Sequence, residues 1–213
     1  MSEDDHRTFE RGVDLDRVVY FSDAVFAIAM TLLVLSVRVP DVPSAHLGAA
    51  LNDEVSAIWS YFLSFAVIAL IWLAHHRMFH YVRRVDPTAV ALNLVLLAFV
   101  AILPFPTAML GRYGETRIAT MAYAGAAAAV GCSSVALWAH ITHTPGLLRP
   151  DTPRAFIRHA QLRGMSVPIV FALSIPIALW NVDVAKYFWI AIVPVRVVLV
   201  RRFGSVYTPR VTR

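Results

Sequence analysis

The sequence predicts an all-α, polytopic membrane protein with six transmembrane helices. Three observations carry that prediction. The 213 residues are 58% hydrophobic and only 15% charged, whereas soluble domains are about 45–50% apolar and about 25% charged. Six apolar runs divide the chain, each near the roughly 20 residues (about 17–25) that a bilayer-crossing helix needs. Between the runs, arginine gathers in alternate loops.

The first run spans Val18 to Val37 and the second Val55 to Ala74. The third, Thr88 to Leu110, contains Pro104 and Pro106. The fourth, Ile118 to His140, is rich in Ala and Gly. The fifth, Met165 to Trp180, is short and carries Pro168 and Pro176; the sixth is Val184 to Val200. A kinked or re-entrant pair would also fit the last two. The predicted organisation is a polar N-terminal segment over 1–16, a six-helix transmembrane domain over 17–200 and a basic tail over 201–213. The acidic start, "MSEDDHRTFERGVDLD", is not the short basic region of a signal peptide, so the first run is expected to stay in the mature protein.

Six crossings put both termini on one side. The loops after the second and fourth runs, with the tail, hold eleven cations: Arg77, Arg83, Arg84, Arg149, Arg154, Arg158, Arg163, Arg201, Arg202, Arg210 and Arg213. The opposite set holds four: Arg38, Arg112, Arg117 and Lys186. The positive-inside rule places both termini in the cytoplasm, with Arg196 snorkelling to the same surface. Eighteen arginines against one lysine, with much Ala and Val, suggest a GC-rich bacterial genome and hence a bacterial plasma membrane. The net charge of +5 therefore orients a membrane protein and does not mark a nucleic-acid partner. In the long loop before the fifth run, Asp151 or Thr152 is expected to cap a short helix with Pro153 at its first position. Its Arg154, Arg158 and His159 would lie on the anionic inner leaflet. The lone Cys132 lies in an Ala-rich run and reads as a small buried apolar residue.

The first run, "RVVYFSDAVFAIAMTLLVLSV", holds the strongest anomaly. Asp23 sits about 9 Å inside its start. A carboxylate at a helix centre costs about 2.5–3.5 kcal/mol on insertion scales. With Ile28 at 0° and about 100° per residue, Leu32, Leu35, Val25 and Phe21 fall within about 60° of it, and Thr31 lies at about −60°. Asp23 falls at about 220° and Ser22 at about 120°, away from the stripe. Either the stripe faces lipid or another helix, or it lines a hydrophobic pore while Asp23 points back and holds the helix. Donors at matching depth are Trp72, His75, His76 and Asn93. A network of Asp23, Ser22, one of the two histidines and Asn93 would brace the inner half of the bundle. Adjacent positions do not decide which histidine faces inward.

A metal site in "HHRMFHY" is disfavoured, because no Glu or Cys accompanies His76 and His80. No nucleophilic triad or phosphate loop is present, so no enzyme and no cofactor is expected. A proton-coupled transporter using Asp23 with His75 or His76 is the alternative function, although the proline-bearing third and fifth runs form no evident repeat.

"RVVYFSDAVFAIAMTLLVL" closely resembles the first helix of the transmembrane protein 175 family of potassium channels, found in endosomes, lysosomes and many prokaryotes. Arg17, Phe21, Ser22 and Asp23 carry the likeness, with Ala24 where the family often has Gly. "SFAVIALIWLAHHRMFHY" and "LNLVLLAFVAILPFPT" look like its second and third helices. The resemblance implies one six-helix unit per chain and a homotetramer whose first helices line the central pore. By position, Ile28 would form the constriction, with Leu32 and Leu35 as further aliphatic rings. Thr31 would contribute a hydroxyl to cation selectivity. Phe21, Ser22 and Asp23 would act in packing and assembly. The implied function is a leak-type, potassium-preferring channel with potassium as the permeant species. The sequence has no TVGYG loop, so a dewetting aliphatic neck would gate it. Asp41, Asp53 and Glu54 near the outer mouth could concentrate cations.

Overall fold

The computed structural model describes residues 14–190. The expected N-terminal segment up to residue 13, the last ten residues of the sixth run with Arg196, and the basic tail lie outside the described residues. Nine α-helices occur among the described residues: α1 Leu15–Leu32, α2 Leu47–Asp53, α3 Val55–His80, α4 Pro87–Ile102, α5 Pro104–Tyr113, α6 Arg117–His143, α7 Arg154–Gly164, α8 Ser166–Trp180 and α9 Val182–Ile190. Five stretches are long and apolar enough to cross a membrane: Leu15–Ser36, Val55–His80, Pro87–Tyr113, Arg117–His143 and Arg154–Trp180. The expected sixth run begins inside α9.

Each boundary has a local cause. Asp14 caps α1, its side chain accepting from the Asp16 N–H at 3.1 Å. The last turn tightens to a 3₁₀ helix over Leu33–Ser36 before the chain extends at Val37. The third run is two helices, not one. Pro104 has no N–H to offer the Val100 carbonyl, which takes the Leu103 N–H at 3.2 Å instead, and the α-ladder breaks there. Asn181 is extended, and its Oδ1 accepts from the N–H groups of Asp183 and Val184 at 2.9 and 3.0 Å. The last described helix therefore starts two residues before the expected Val184. Neither Asp151 nor Thr152 caps α7. Thr152 Oγ1 instead donates to the Arg149 carbonyl at 2.7 Å, and Pro153 is the cap residue, with α7 starting at Arg154.

The helix α6 is the hub, packed against α4, α8 and α5. Tyr123, Ala124, Ala127, Val130 and Leu137 on it are fully buried. Small residues let its neighbours approach closely: a Cβ on Gly131 would lie 2.6 Å from Pro168 Cδ of α8. Pro168 is tolerated because the N–H groups of a first turn have no intrahelical partner. Cys132, by contrast, is exposed. An Ala/Gly run has no amphipathic contrast, so composition did not reveal which face it occupies. The loops at one end are tied by an antiparallel bridge between Val82 and Leu148. There the Arg83 N–H donates to Leu147 O at 2.7 Å and the Arg149 N–H to Tyr81 O at 2.9 Å. Gly146 turns this loop with φ +84°, a conformation that L side chains rarely adopt.

At the same end Asp86 caps α4. Its Oδ1 accepts the Ala89 N–H at 2.7 Å, and both carboxylate oxygens lie 3.0 Å from His140 Nε2 of α6. Burial pushes the carboxyl pKa up, but the Ala89 N–H and His140 outweigh it and hold the group below the usual carboxylate value. Such a group stabilises the fold fully above its unfolded pKa and loses that contribution as pH falls through the lower, folded value.

Three outcomes follow for thermal unfolding of the purified chain in detergent. Gly131→Ala is expected to cost about 1–3 kcal/mol by overpacking. Gly125→Ala, whose Cβ meets nothing within 4 Å, should leave stability unchanged or raised by roughly 0.5–1 kcal/mol. Asp86→Ala should cost about 0.5–2 kcal/mol at neutral pH, and its difference from wild type should shrink as pH falls below the unperturbed value of 3.8.

Candidate functional site

The helix α1 has two unlike sides. Val18, Ser22, Phe26, Ala29 and Leu33 are buried against α3 and α4. Their spacing of 4, 4, 3 and 4 makes one helical face. The opposite side is left open by the rest of the chain: Ile28 is 57% exposed, Leu35 72% and Phe21 53%, and Leu32 and Thr31 are also exposed. Val25 is half-buried at the edge. The change to 3₁₀ geometry at Leu33 does not break this side. Three residues complete a 3₁₀ turn, so Leu35 eclipses Leu32. Thr31 Oγ1 donates to the Ile28 carbonyl at 2.8 Å. That bond uses its only hydrogen, and its oxygen lone pairs are what it presents outward.

The buried side is fixed by a directed chain of hydrogen bonds across three helices. Ser22 Oγ donates to Val18 O at 2.7 Å, which leaves it free to accept from Asn93 Nδ2 at 2.9 Å. Asn93 Oδ1 then accepts, and His75 Nε2 lies 2.9 Å away. An acceptor at that distance requires the hydrogen of His75 on Nε2. Ser22, Asn93 and His75 are all buried. The imidazole lies between Phe26 and Phe79, with ring centroids at 5.4 and 4.3 Å. Its Nδ1 is buried with no hydrogen-bond partner among the described residues.

Asp23 stands apart from this chain. Its Oδ1 accepts the Trp72 indole N–H at 2.8 Å, and both side chains are partly buried. His76 is exposed and lies against Trp72, with centroids 5.6 Å apart. The single network expected from the sequence is thus two contacts. Ser22, Asn93 and His75 form one, Asp23 and Trp72 the other. Among the described residues no hydrogen bond or ion pair joins Asp23 to a histidine. The inward histidine is His75. Arg17 is exposed on the first turn of α1, away from both contacts. Near the other end of α1, Glu54 Oε2 accepts the Arg38 N–H at 3.4 Å, while Asp41 and Asp53 are exposed.

A second polar chain, outside the residues that the sequence singles out, joins α6, α3 and α5. Tyr123 of α6, fully buried, has its hydroxyl 3.1 Å from Ser64 Oγ of α3. Ser64 lies 2.8 Å from Thr107 Oγ1 of α5, which lies 2.8 Å from Leu103 O. With hydrogens ordered from Tyr123 toward Leu103, each hydroxyl donates once. Next to it, Trp189 Nε1 donates to Ser174 Oγ at 2.8 Å. Tyr123, Phe171 and Trp189 form an aromatic cluster with centroids 5.1–5.8 Å apart. The available signal was that lone hydroxyls inside apolar runs must find partners in a membrane; which partners is a tertiary fact.

Residues 17–104 match the family described as the endosomal/lysosomal potassium channel TMEM175. A protein of Streptomyces collinus named as a potassium channel is 38% identical over 168 residues, covering 76% of this chain and 81% of that protein. The mouse protein named as the endosomal/lysosomal proton channel TMEM175 is 42% identical over 98 residues, 42% of this chain and 20% of that one. The crystal structure of a lysosomal potassium-selective channel TMEM175 homologue from Chamaesiphon minutus superposes with a TM-score of 0.75 at 28% identity, covering 89% of this chain and 97% of that chain. A directed polar brace behind the first helix, an open aliphatic face before it and these likenesses lead to one assignment: the chain belongs to the TMEM175 family.

Proposed function

We propose that this protein is a potassium-preferring cation channel of leak type, formed by four copies whose α1 helices surround the pore. The observation that carries the reading is the open side of α1. One continuous aliphatic strip, Ile28, Leu32 and Leu35, is left uncovered, while hydrogen bonds anchor the reverse side of the same helix. The relatives named as potassium channels support the permeant ion.

In this reading four Ile28 side chains form the narrowest ring. An aliphatic ring of that kind blocks ions by excluding water, and conduction requires the helices to separate until the ring wets. Thr31 is one turn away and turns hydroxyl lone pairs outward. It would meet a cation losing part of its hydration shell, which makes potassium the easier ion because it is dehydrated at lower cost. Discrimination is modest, since one hydroxyl layer does not replace the carbonyl cage of a TVGYG filter. Arg17 and Phe21, exposed on the single chain, then fall at contacts between subunits. The membrane is the bacterial plasma membrane, with both termini cytoplasmic.

The alternative, a proton-coupled transporter, needs Asp23 to exchange a proton with His75 or His76. The geometry weighs against it, because Asp23 is engaged by Trp72 and the inward histidine by Asn93.

Reversal potentials in planar bilayers under a potassium/sodium bi-ionic gradient test the proposal. Wild type should pass a potassium-preferring current. Ile28→Asn should raise conductance several-fold or weaken the preference, because a polar ring wets more easily. Absence of current from both proteins would sink the channel reading. Asp23→Asn keeps an oxygen for the Trp72 N–H, so the assembled channel should keep its ion preference. Uptake driven by a pH gradient and abolished by the same substitution would establish the transporter instead.

A further inference from the structure

A cavity of about 410 Å³ lies between α3, α6 and α7, away from the open face of α1. Its size falls within the roughly 300–1,000 Å³ of small-molecule sites. The walls are mostly apolar, with Leu73, Val135, Trp138 and Phe156 among them. The Trp138 indole N–H donates to Ile157 O at 3.4 Å, and Phe156 packs edge-on against Trp138 with centroids 5.9 Å apart. These contacts hold α7 against α6 and keep the wall in place. Arg77 of α3 and Arg163 of α7 also line the cavity, and no acidic residue does. Arg163 Nε is buried without a hydrogen-bond partner, and among the described residues neither arginine has a carboxylate partner. Residues 191–213, which lie outside the described residues, contain no Asp or Glu.

We infer that this cavity binds one anionic glycerophospholipid. The phosphate sits between Arg77 and Arg163, and an acyl chain runs along Leu73, Val135 and Trp138. The argument is charge complementarity in a particular solvent. A buried guanidinium N–H without an acceptor is costly in an apolar medium, and a phosphate diester supplies acceptors in the fork geometry that arginine favours. Basic pockets between helices at the arginine-rich membrane face suit anionic headgroups. The apolar walls select a molecule with a tail over free phosphate. This inference rests on the membrane reading and stands whether or not α1 lines a pore.

The probe is phosphatidylglycerol, added to the detergent-purified full chain and counted by native mass spectrometry. Wild type should retain one phosphatidylglycerol per chain in preference to phosphatidylcholine, and millimolar inorganic phosphate should not displace it. Arg77→Gln with Arg163→Gln should weaken retention by on the order of tenfold or more, and Arg163→Lys should lose less. A second measurement avoids charge-removing variants. In vesicles, acyl-brominated phosphatidylglycerol should quench the fluorescence component that Trp138→Phe removes, and acyl-brominated phosphatidylcholine should quench it less. Equal retention and equal quenching by the two lipids would overturn the proposal, as would displacement by phosphate alone. Binding that appears only after residues 1–13 are deleted would also overturn it, by assigning the cavity to the chain's own acidic N-terminus.

Discussion

An amide cannot be left unpaired in the interior of a membrane protein, and Asn93 has both ends to satisfy. It does so by accepting from α3 through His75 and donating to α1 through Ser22. Each bond between neutral groups is worth about 0.5–1.5 kcal/mol, but leaving a buried partner orphaned costs about 1–3 kcal/mol. The arrangement is therefore more specific than it is strong. Rotating α1 by one residue, about 100°, would break the Ser22 contact and pull Asp23 from Trp72. The polar chain thus fixes which side of α1 faces outward, and every functional reading of Ile28, Thr31, Leu32 and Leu35 depends on that choice.

The rest of the bundle serves as a rigid backing. Close approach of α6 and α8 at Gly131 and Pro168 leaves no room for a methyl group, and the Tyr123–Ser64–Thr107 chain joins α6, α3 and α5. With three helices pinned by hydroxyls and three by Asn93, α3 belongs to both sets. It connects the backing to the helix that carries the open face. A movement of α1 that widened a central passage would have to work against these fixed partners, or carry α3 and α4 with it.

Much of this was legible because helix 1 is patterned. Its polar residues are few, so a helical wheel separates Ser22 and Asp23 from the aliphatic stripe, and depth alone nominates Trp72, His75 and Asn93. The failures have physical causes. His75 and His76 are adjacent on a helix that is apolar all round, and only tertiary packing shows that one is buried and the other lies on Trp72. One network became two because depth does not give azimuth. The break at Leu103 follows from Pro104, a visible signal that the length of the apolar run obscured. The Ser64, Thr107 and Tyr123 partnership joins residues up to 59 positions apart, a distance at which local pattern carries no information. Cys132 is exposed in a stretch of small residues, 128–136, whose pattern sets no buried face apart.

If the open face of α1 lines an aqueous passage, as proposed, and does not meet lipid, a cysteine placed on it is open to a water-soluble reagent. The most direct measurement is modification of a single cysteine at Ile28→Cys, in a Cys132→Ser chain, by a cationic water-soluble methanethiosulfonate during bilayer recording. Current should fall and stay low after washout at this position and at Leu35→Cys, with no loss at Leu173→Cys on the exposed side of α8. Current that persists unchanged after complete modification at Ile28→Cys would contradict the proposal.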